Sequence, residues 1–323
     1  MDVMPPRVRL ASLPTPLVRA PRLEAALDAG PLFIKRDDLT GFGVAGNKAR
    51  ALEYLVGAAV AEGSDVIVAA GSTSSNFCAA AAMAARVVGI DCDLLFPCGS
   101  DPAPSVNVEL ARAAGARLVF DAAGSRDELD AAVLEHADAL RARGRRPYSM
   151  PRGGATAVGG LGYAYAAREL AEQCAAMGLA VRTVVLATGS GGTQAGLVAG
   201  QVAFALPGRV IGASVSRPIH GLAEQILRTA RACAAAIGGD EPRTDAVDVR
   251  DCRGGGFGVV SVEDRVSSQL AFHHEGLLLD DYYGAKALTL LRSLLDGGAP
   301  TPAVLWHTGG VAAALTGLLR AAA

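Results

Sequence analysis

The sequence has no excess of basic residues, no apolar run long enough to cross a bilayer and no close pairs of metal-binding side chains. Its 30 Lys and Arg stand against 32 Asp and Glu, giving a net charge of −2 and a pI near 6.2. That balance leaves no basic footprint for nucleic acid or an anionic membrane. No stretch of about 18 apolar residues is free of charge or glycine, so no transmembrane helix is expected. The N-terminal MDVMPPRVRLASLPTP lacks the apolar core of a secretory signal. The six cysteines (Cys78, Cys92, Cys98, Cys174, Cys233, Cys252) form no CxxC pair, and the five histidines form no HExxH or HxxxH pair. No metal site and no disulfide framework are therefore expected, and reduced thiols in a cytoplasmic protein are.

What the chain has is apolar substance: 51% of its 323 residues are hydrophobic, enough for a large core in one domain or two. Short apolar runs alternate with longer helical patterns. The strand candidates are Leu32–Lys35, Asp65–Ala70, Cys92–Phe96, Ala116–Phe120, Arg182–Thr188, Arg209–Val215 and Pro302–Thr308. Helical segments such as ARALEYLVGAAVAEG, DELDAAVLEHADALRARG, LGYAYAARELAEQCAAMG and AKALTLLRSLLDGG lie between them. Continuous apolar strands separated by helices predict an α/β fold with parallel sheets covered on both faces. Ligands of such sheets bind at the carboxyl ends of the strands. The Gly- and Pro-rich stretch Pro147–Gly162 reads as a crossing between domains.

Three segments carry chemistry. In LATGSGGTQAGLVAG (Leu186–Gly200), Gly189, Gly191 and Gly192 let backbone amides converge, and Ser190 and Thr193 add hydroxyls at a helix N-terminus. That suits a phosphate, although neither GK[ST] nor GxGxxG is present; a plain tight turn is the alternative. In GSTSSNF, Ser72, Thr73, Ser74 and Ser75 precede another helical pattern and suit a carboxylate, although a helix N-cap needs only one of them. Lys48 follows Gly46 and Asn47 at a loop-to-helix boundary, where a lysine is ordinarily just solvated. Two anion sites beside a lysine change that reading: a phosphate-bearing aldehyde joined to an amino acid would use all three, as in Schiff-base chemistry through pyridoxal phosphate.

The motifs KRDD, GNKAR, GSTSSN, MPRGG, TGSGGTQAG, LDDYYGAKA and WHTGG, in that order, resemble one family across nearly the whole chain. It is the pyridoxal-phosphate enzymes grouped as D-cysteine desulfhydrases and 1-aminocyclopropane-1-carboxylate (ACC) deaminases, of the tryptophan-synthase-β fold type II. The resemblance implies two domains, each with a mostly parallel sheet flanked by helices: residues 51–150 as the small domain, 1–50 and 151–323 as the large cofactor-binding one. It implies Lys48 as the Schiff-base lysine, Gly189–Thr193 as the phosphate loop, Asn76 on the pyridoxal 3′-oxygen and Thr308 near the pyridine nitrogen. Ser75 and Tyr283 become catalytic helpers, and Ser72–Ser75 the substrate-carboxylate loop. A small amino-acid substrate and a homodimer follow from the same resemblance.

The chain also departs from the family. Ser74 and Phe77 replace the polar residues flanking the family's Ser-Asn, Phe257 stands for an active-site tyrosine, and Gly284 stands where ACC deaminases carry a glutamate. Phe77 and Phe257 are expected to line the substrate pocket. The reaction expected is α,β-elimination giving a 2-oxo acid and ammonia. Ring opening of ACC, β-replacement on an unusual amino acid, and non-catalytic binding of cofactor or amino acid are the rivals. Asp37–Asp38, Asp280–Asp281, Tyr282 and the pair His273–His274 read as structural, and His307 as pocket lining or support for the HTGG turn.

Overall fold

The computed structural model describes residues 5–97, 105–122, 126–256 and 258–322. Among them run ten strands: β1 Leu17–Arg19, β2 Leu32–Arg36, β3 Val66–Ala70, β4 Asp91–Pro97, β5 Arg117–Ala122, β6 Pro147–Met150, β7 Thr183–Thr188, β8 Arg209–Ser214, β9 Asp248–Asp251 and β10 Ala303–His307. The helices are α1 Pro21–Ala26, α2 Asn47–Ala61, α3 Asn76–Val88, α4 Val106–Ala113, α5 Arg126–Arg141, α6 Ala157–Met177, α7 Gly192–Ala203, α8 Ile219–Ala236, α9 Val262–Glu275, α10 Gly284–Asp296 and α11 Val311–Ala322.

Two sheets result. One has the order β5-β4-β3-β6 and is wholly parallel. The other has the order β1-β2-β10-β7-β8-β9 and is parallel except for the antiparallel β1–β2 pair. The apolar runs follow from this layering. Ile67 and Ala69 of β3 face one core with α2 and α3, while Val66, Val68 and Ala70 face another with Leu129 and Val133 of α5. In the larger sheet, Val185 and Leu305 belong to one apolar cluster, and Val184, Val304 and Trp306 to a different one. A strand covered on both faces cannot alternate polar and apolar residues.

All seven strand candidates are strands, and β1, β6 and β9 are additional. Each of the three lies at a sheet edge, is three or four residues long and carries exposed or half-buried polar residues, so the apolar run is missing. The stretch expected to be a crossing begins as β6, turns at Pro151–Thr156 and enters α6. His273 and His274, read as structural, lie in the last turn of α9, where His273 is exposed.

A buried ionic cluster joins the elements around α2. Arg50 donates to Asp37 through Nε at 2.9 Å and Nη2 at 2.8 Å, and to Glu169 through Nη1 at 3.0 Å. Asp37 also accepts from Thr15 Oγ1 and Trp306 Nε1, both at 2.8 Å, and from the Tyr163 hydroxyl. Burial pushes the Asp37 carboxyl up, yet the Arg50 guanidinium and the Tyr163 and Trp306 hydrogen bonds outweigh it and hold it at about 2. Asp37→Ala leaves Arg50 buried with Glu169 as its one carboxylate partner, beside the Thr15 hydroxyl, and is expected to cost about 3–5 kcal/mol in denaturant unfolding. Because this carboxyl is depressed from 3.8 to about 2, its contribution is complete above 3.8 and fades as pH falls toward 2. Unfolding of wild type and Asp37→Asn at pH 7 and pH 3 should show the gap between them narrowing at the lower pH.

Candidate active site

The whole chain holds three lysines, and two are ion-paired. Lys35 of β2 donates to the Thr15 carbonyl at 2.7 Å, to Gln173 Oε1 at 2.8 Å and to Glu169. Lys286 of α10 donates to Asp264 Oδ2 at 3.0 Å. Lys48, in the first turn of α2, has no hydrogen-bond or ion-pair partner among the described residues and lines a cavity of about 300 Å³. Burial pushes its amine down from 10.5 to about 8. More of it is therefore neutral, and nucleophilic, near pH 7 than of an ordinary lysine.

The turn that presents Lys48 is clamped to the end of β10. Asn47 N–H donates to the Thr308 carbonyl at 2.8 Å. Gly46 has φ 54°, and a Cβ there would sit 2.4 Å from that carbonyl oxygen; a Cβ on Gly309 would sit 2.8 Å from Gly46 Cα. Only glycine permits this approach of the two backbones. Asn47 Nδ2 donates to Thr193 Oγ1 at 3.0 Å, which ties the lysine turn to the loop after β7.

That loop supplies Gly189, Ser190, Gly191 and Thr193 to the cavity, while Gly192 opens α7 outside the lining. Gly191 has φ 91°, and a Cβ on it would lie 2.8 Å from Ile226 Cγ1. No side chain caps α7, so its first amide N–H groups are left for an anion. On the facing side, Ser75 is the N-cap of α3, accepting from Cys78 N at 3.2 Å. Ser72, Ser75, Asn76 and Phe77 line the cavity; Thr73 and Ser74 lie outside its lining. Phe77 is 2% exposed and packs with Leu55 in the core.

Elements distant in sequence complete the wall. Asp280 accepts N–H bonds from Tyr282 at 3.0 Å, Tyr283 at 2.8 Å and Gly284 at 3.2 Å. Burial pushes its carboxyl up to about 6 against the pull of those three donors. Tyr283 and Thr308 line the cavity as well, and Thr308 is 9% exposed. His307 is buried outside the lining, where its Nδ1 accepts from Gly309 N at 3.4 Å within the HTGG turn. A Cβ on Gly284 would meet Leu279 Cβ at 3.2 Å, so this position is already tight. Phe257 lies outside the described residues.

Sequence reasoning passed over Asn107, Arg152 and Asp280. Asn107 of α4 donates from Nδ2 to the Ser74 carbonyl at 2.8 Å and to Asn76 Oδ1 at 3.0 Å. It thereby orients the Asn76 amide, yet nothing in SVNVEL marks it. Arg152, the only charge in MPRGG, lines the cavity, and so does Asp280, whose sequence context reads as structural.

The residues fit pyridoxal phosphate. The Thr188 hydroxyl, at the end of β7 in the cavity wall, is buried without a partner. A desolvated amine, an uncapped helix N-terminus behind a glycine loop and an orphaned hydroxyl match an aldehyde bearing a phosphate. Apoprotein mixed with pyridoxal phosphate should acquire its lysine-linked absorbance at a rate that rises with pH and levels off above about 8. An ordinary lysine would keep accelerating toward 10.5, and that outcome would contradict the desolvation described.

The family described as pyridoxal-phosphate dependent enzyme matches residues 8–309. The D-cysteine desulfhydrase of Klebsiella pneumoniae is 33% identical over 323 residues, covering 95% of each chain. That of Salmonella choleraesuis is 35% identical over 326 residues, with the same coverage. A solved structure described as an ACC deaminase homologue superposes with a TM-score of 0.89 at 32% identity, over 98% of this chain and 96% of that one. A solved threonine deaminase, at 20% identity and a TM-score of 0.65 over 92% of each chain, shares the fold. With its lysine, glycine loop and hydroxyl loop at the ends of parallel strands, the chain belongs to the pyridoxal-phosphate dependent enzymes of fold type II.

Proposed function

We propose that the protein removes the α-proton of a small amino acid and expels a substituent from its β-carbon. With one water consumed, the products are a 2-oxo acid, ammonia and the β-substituent, which leaves with its electron pair. The observation that carries this reading is Lys48, an amine without an ionic partner between the glycine loop and the hydroxyl loop. The relatives named D-cysteine desulfhydrase support it.

Bound there, pyridoxal phosphate would supply an aldehyde for amines and a conjugated ring that accepts the electron pair left by the α-proton. Lys48 anchors it, and the Gly189–Thr193 loop and the start of α7 receive its phosphate. Asn76, oriented by Asn107, would bond the ring oxygen, and Thr308 would serve the ring nitrogen. A neutral hydroxyl in that role would leave the nitrogen unprotonated. The Ser72 and Ser75 hydroxyls and the N-terminus of α3 hold the substrate carboxylate, which fixes the α-carbon before the base. Lys48, as a neutral amine, takes the α-proton. Ser75 and Tyr283 assist proton movement at the β-substituent, Tyr283 being placed by the Asp280 cap. Phe77 keeps water from that wall, and Phe257 is proposed, on the resemblance alone, as a substrate-binding residue. The small domain at residues 51–150, a cytoplasmic site of action and a homodimer belong to the same proposal.

Ring opening of a cyclic amino acid is a second reading, supported by the likeness to the ACC deaminase homologue. Gly284 weighs against it, since it stands where ACC deaminases carry a glutamate. Amino acids of both configurations, with ACC among them, should be assayed for ammonia and 2-oxo acid. We expect release from a β-substituted amino acid, a loss of about 10²–10⁴-fold in Lys48→Ala and a lower kcat in Ser75→Ala and Tyr283→Phe. Release from ACC alone would select the second reading. Release that survives in Lys48→Ala would contradict both.

A further inference from the structure

The charges on the cavity wall do not match a simple amino acid. Its lining holds three charged side chains among the described residues: Lys48, Arg152 and Asp280. Lys48 is the proposed anchor, and Asp280 is taken up by the three backbone N–H groups at the start of α10. Under the function proposed above, the cofactor phosphate and the substrate carboxylate are served by hydroxyls and helix N-termini. That leaves a guanidinium with no assigned partner on the ligand.

Arg152 stands just after β6. Its Nε and Nη2 donate to the two carboxylate oxygens of Asp130 on α5, at 2.9 Å and 2.8 Å. The pair is open to water, with side chains 22% and 41% exposed, so it holds only weakly and can exchange one carboxylate for another. Asp130 is one residue from Leu129, which lines the same cavity. The same lining includes the apolar Leu129, Pro97 and Phe77, and Arg152 is its one guanidinium among the described residues. A planar guanidinium receives a carboxylate, sulfonate or phosphate through two parallel hydrogen bonds.

We propose that Arg152 is the recognition residue for a second anionic group on the substrate side chain, with Asp130 as its stand-in when no substrate is bound. The inference rests on the cavity being the amino-acid site, and it narrows the substrate from a small amino acid to one carrying two acid groups. It also gives the loss of polar groups around Phe77 a physical reason: the pocket turns from hydrogen bonding a neutral side chain to pairing with a charged one.

The test is titration of the holoenzyme with aspartate, cysteate and O-phosphoserine, and with serine and alanine as neutral controls, each in both configurations. The shift in the absorbance of the bound cofactor reports binding without turnover. At least one acidic amino acid should bind more tightly than the neutral ones, and which one binds identifies the anion as carboxylate, sulfonate or phosphate. Arg152→Met should raise its Kd about tenfold or more and leave that of serine in place, whereas Asp130→Asn should lower it several-fold. Tighter binding of serine or alanine than of every acidic amino acid would overturn the proposal while leaving the proposed function standing. So would an Arg152→Met variant that weakens all ligands alike, or that loses pyridoxal phosphate itself. If no amino acid shifts the spectrum, the amino-acid site and this inference fall together.

Discussion

Asp37 receives five hydrogen bonds out of reach of bulk water: two from Arg50 and one each from Thr15, Tyr163 and Trp306. A buried carboxylate is tolerable only when its lone pairs are all engaged, so the five donors and the acid fix one another. Arg50 stands two residues beyond Lys48 on α2, and Trp306 two residues before Thr308 on β10. The cluster therefore holds the lysine helix and the strand behind it in one register. The Gly46–Gly309 contact then sets how closely their ends approach. A cavity between mobile elements could not keep an amine desolvated; one between elements pinned this way can.

Everything at the site comes from the same end of the strands. The turns after β3, β7 and β10 deliver the hydroxyl loop, the glycine loop and Thr308, and helices α3 and α7 begin there, α7 without a side-chain cap. The two anion sites proposed would need no cation, because helix N-termini and hydroxyls would provide for them. This arrangement leaves Lys48 without a counter-ion and its amine near 8, and it makes Arg152 conspicuous. The charge distribution of the cavity is thus sparse: one base, one capped acid and one guanidinium held by Asp130.

The parts legible in the sequence were those written in local pattern. Doubly covered strands read as apolar runs, and loops read as glycine or hydroxyl clusters, so Lys48, Gly191, Ser75 and Asn76 could be singled out. The edge strands β1, β6 and β9 were not legible, because a short strand with one open side carries no apolar run. Long-range partners were not legible either. Asn107 meets Asn76 from 31 residues away, and Arg152 meets Asp130 from 22; neither spacing has a local signature. Asp280 was visible as a cap but not as cavity wall, since capping is set by its neighbours and placement by the whole sheet.

The scarcity of lysine makes the central claim directly measurable. Protein incubated with pyridoxal phosphate, reduced with borohydride and digested should carry the reduced adduct on the one peptide containing Lys48, as read by mass spectrometry. Lys35 and Lys286, held by Glu169 and Asp264, should remain unmodified in the folded protein. An adduct on Lys35 or Lys286, or none on Lys48, would contradict the account.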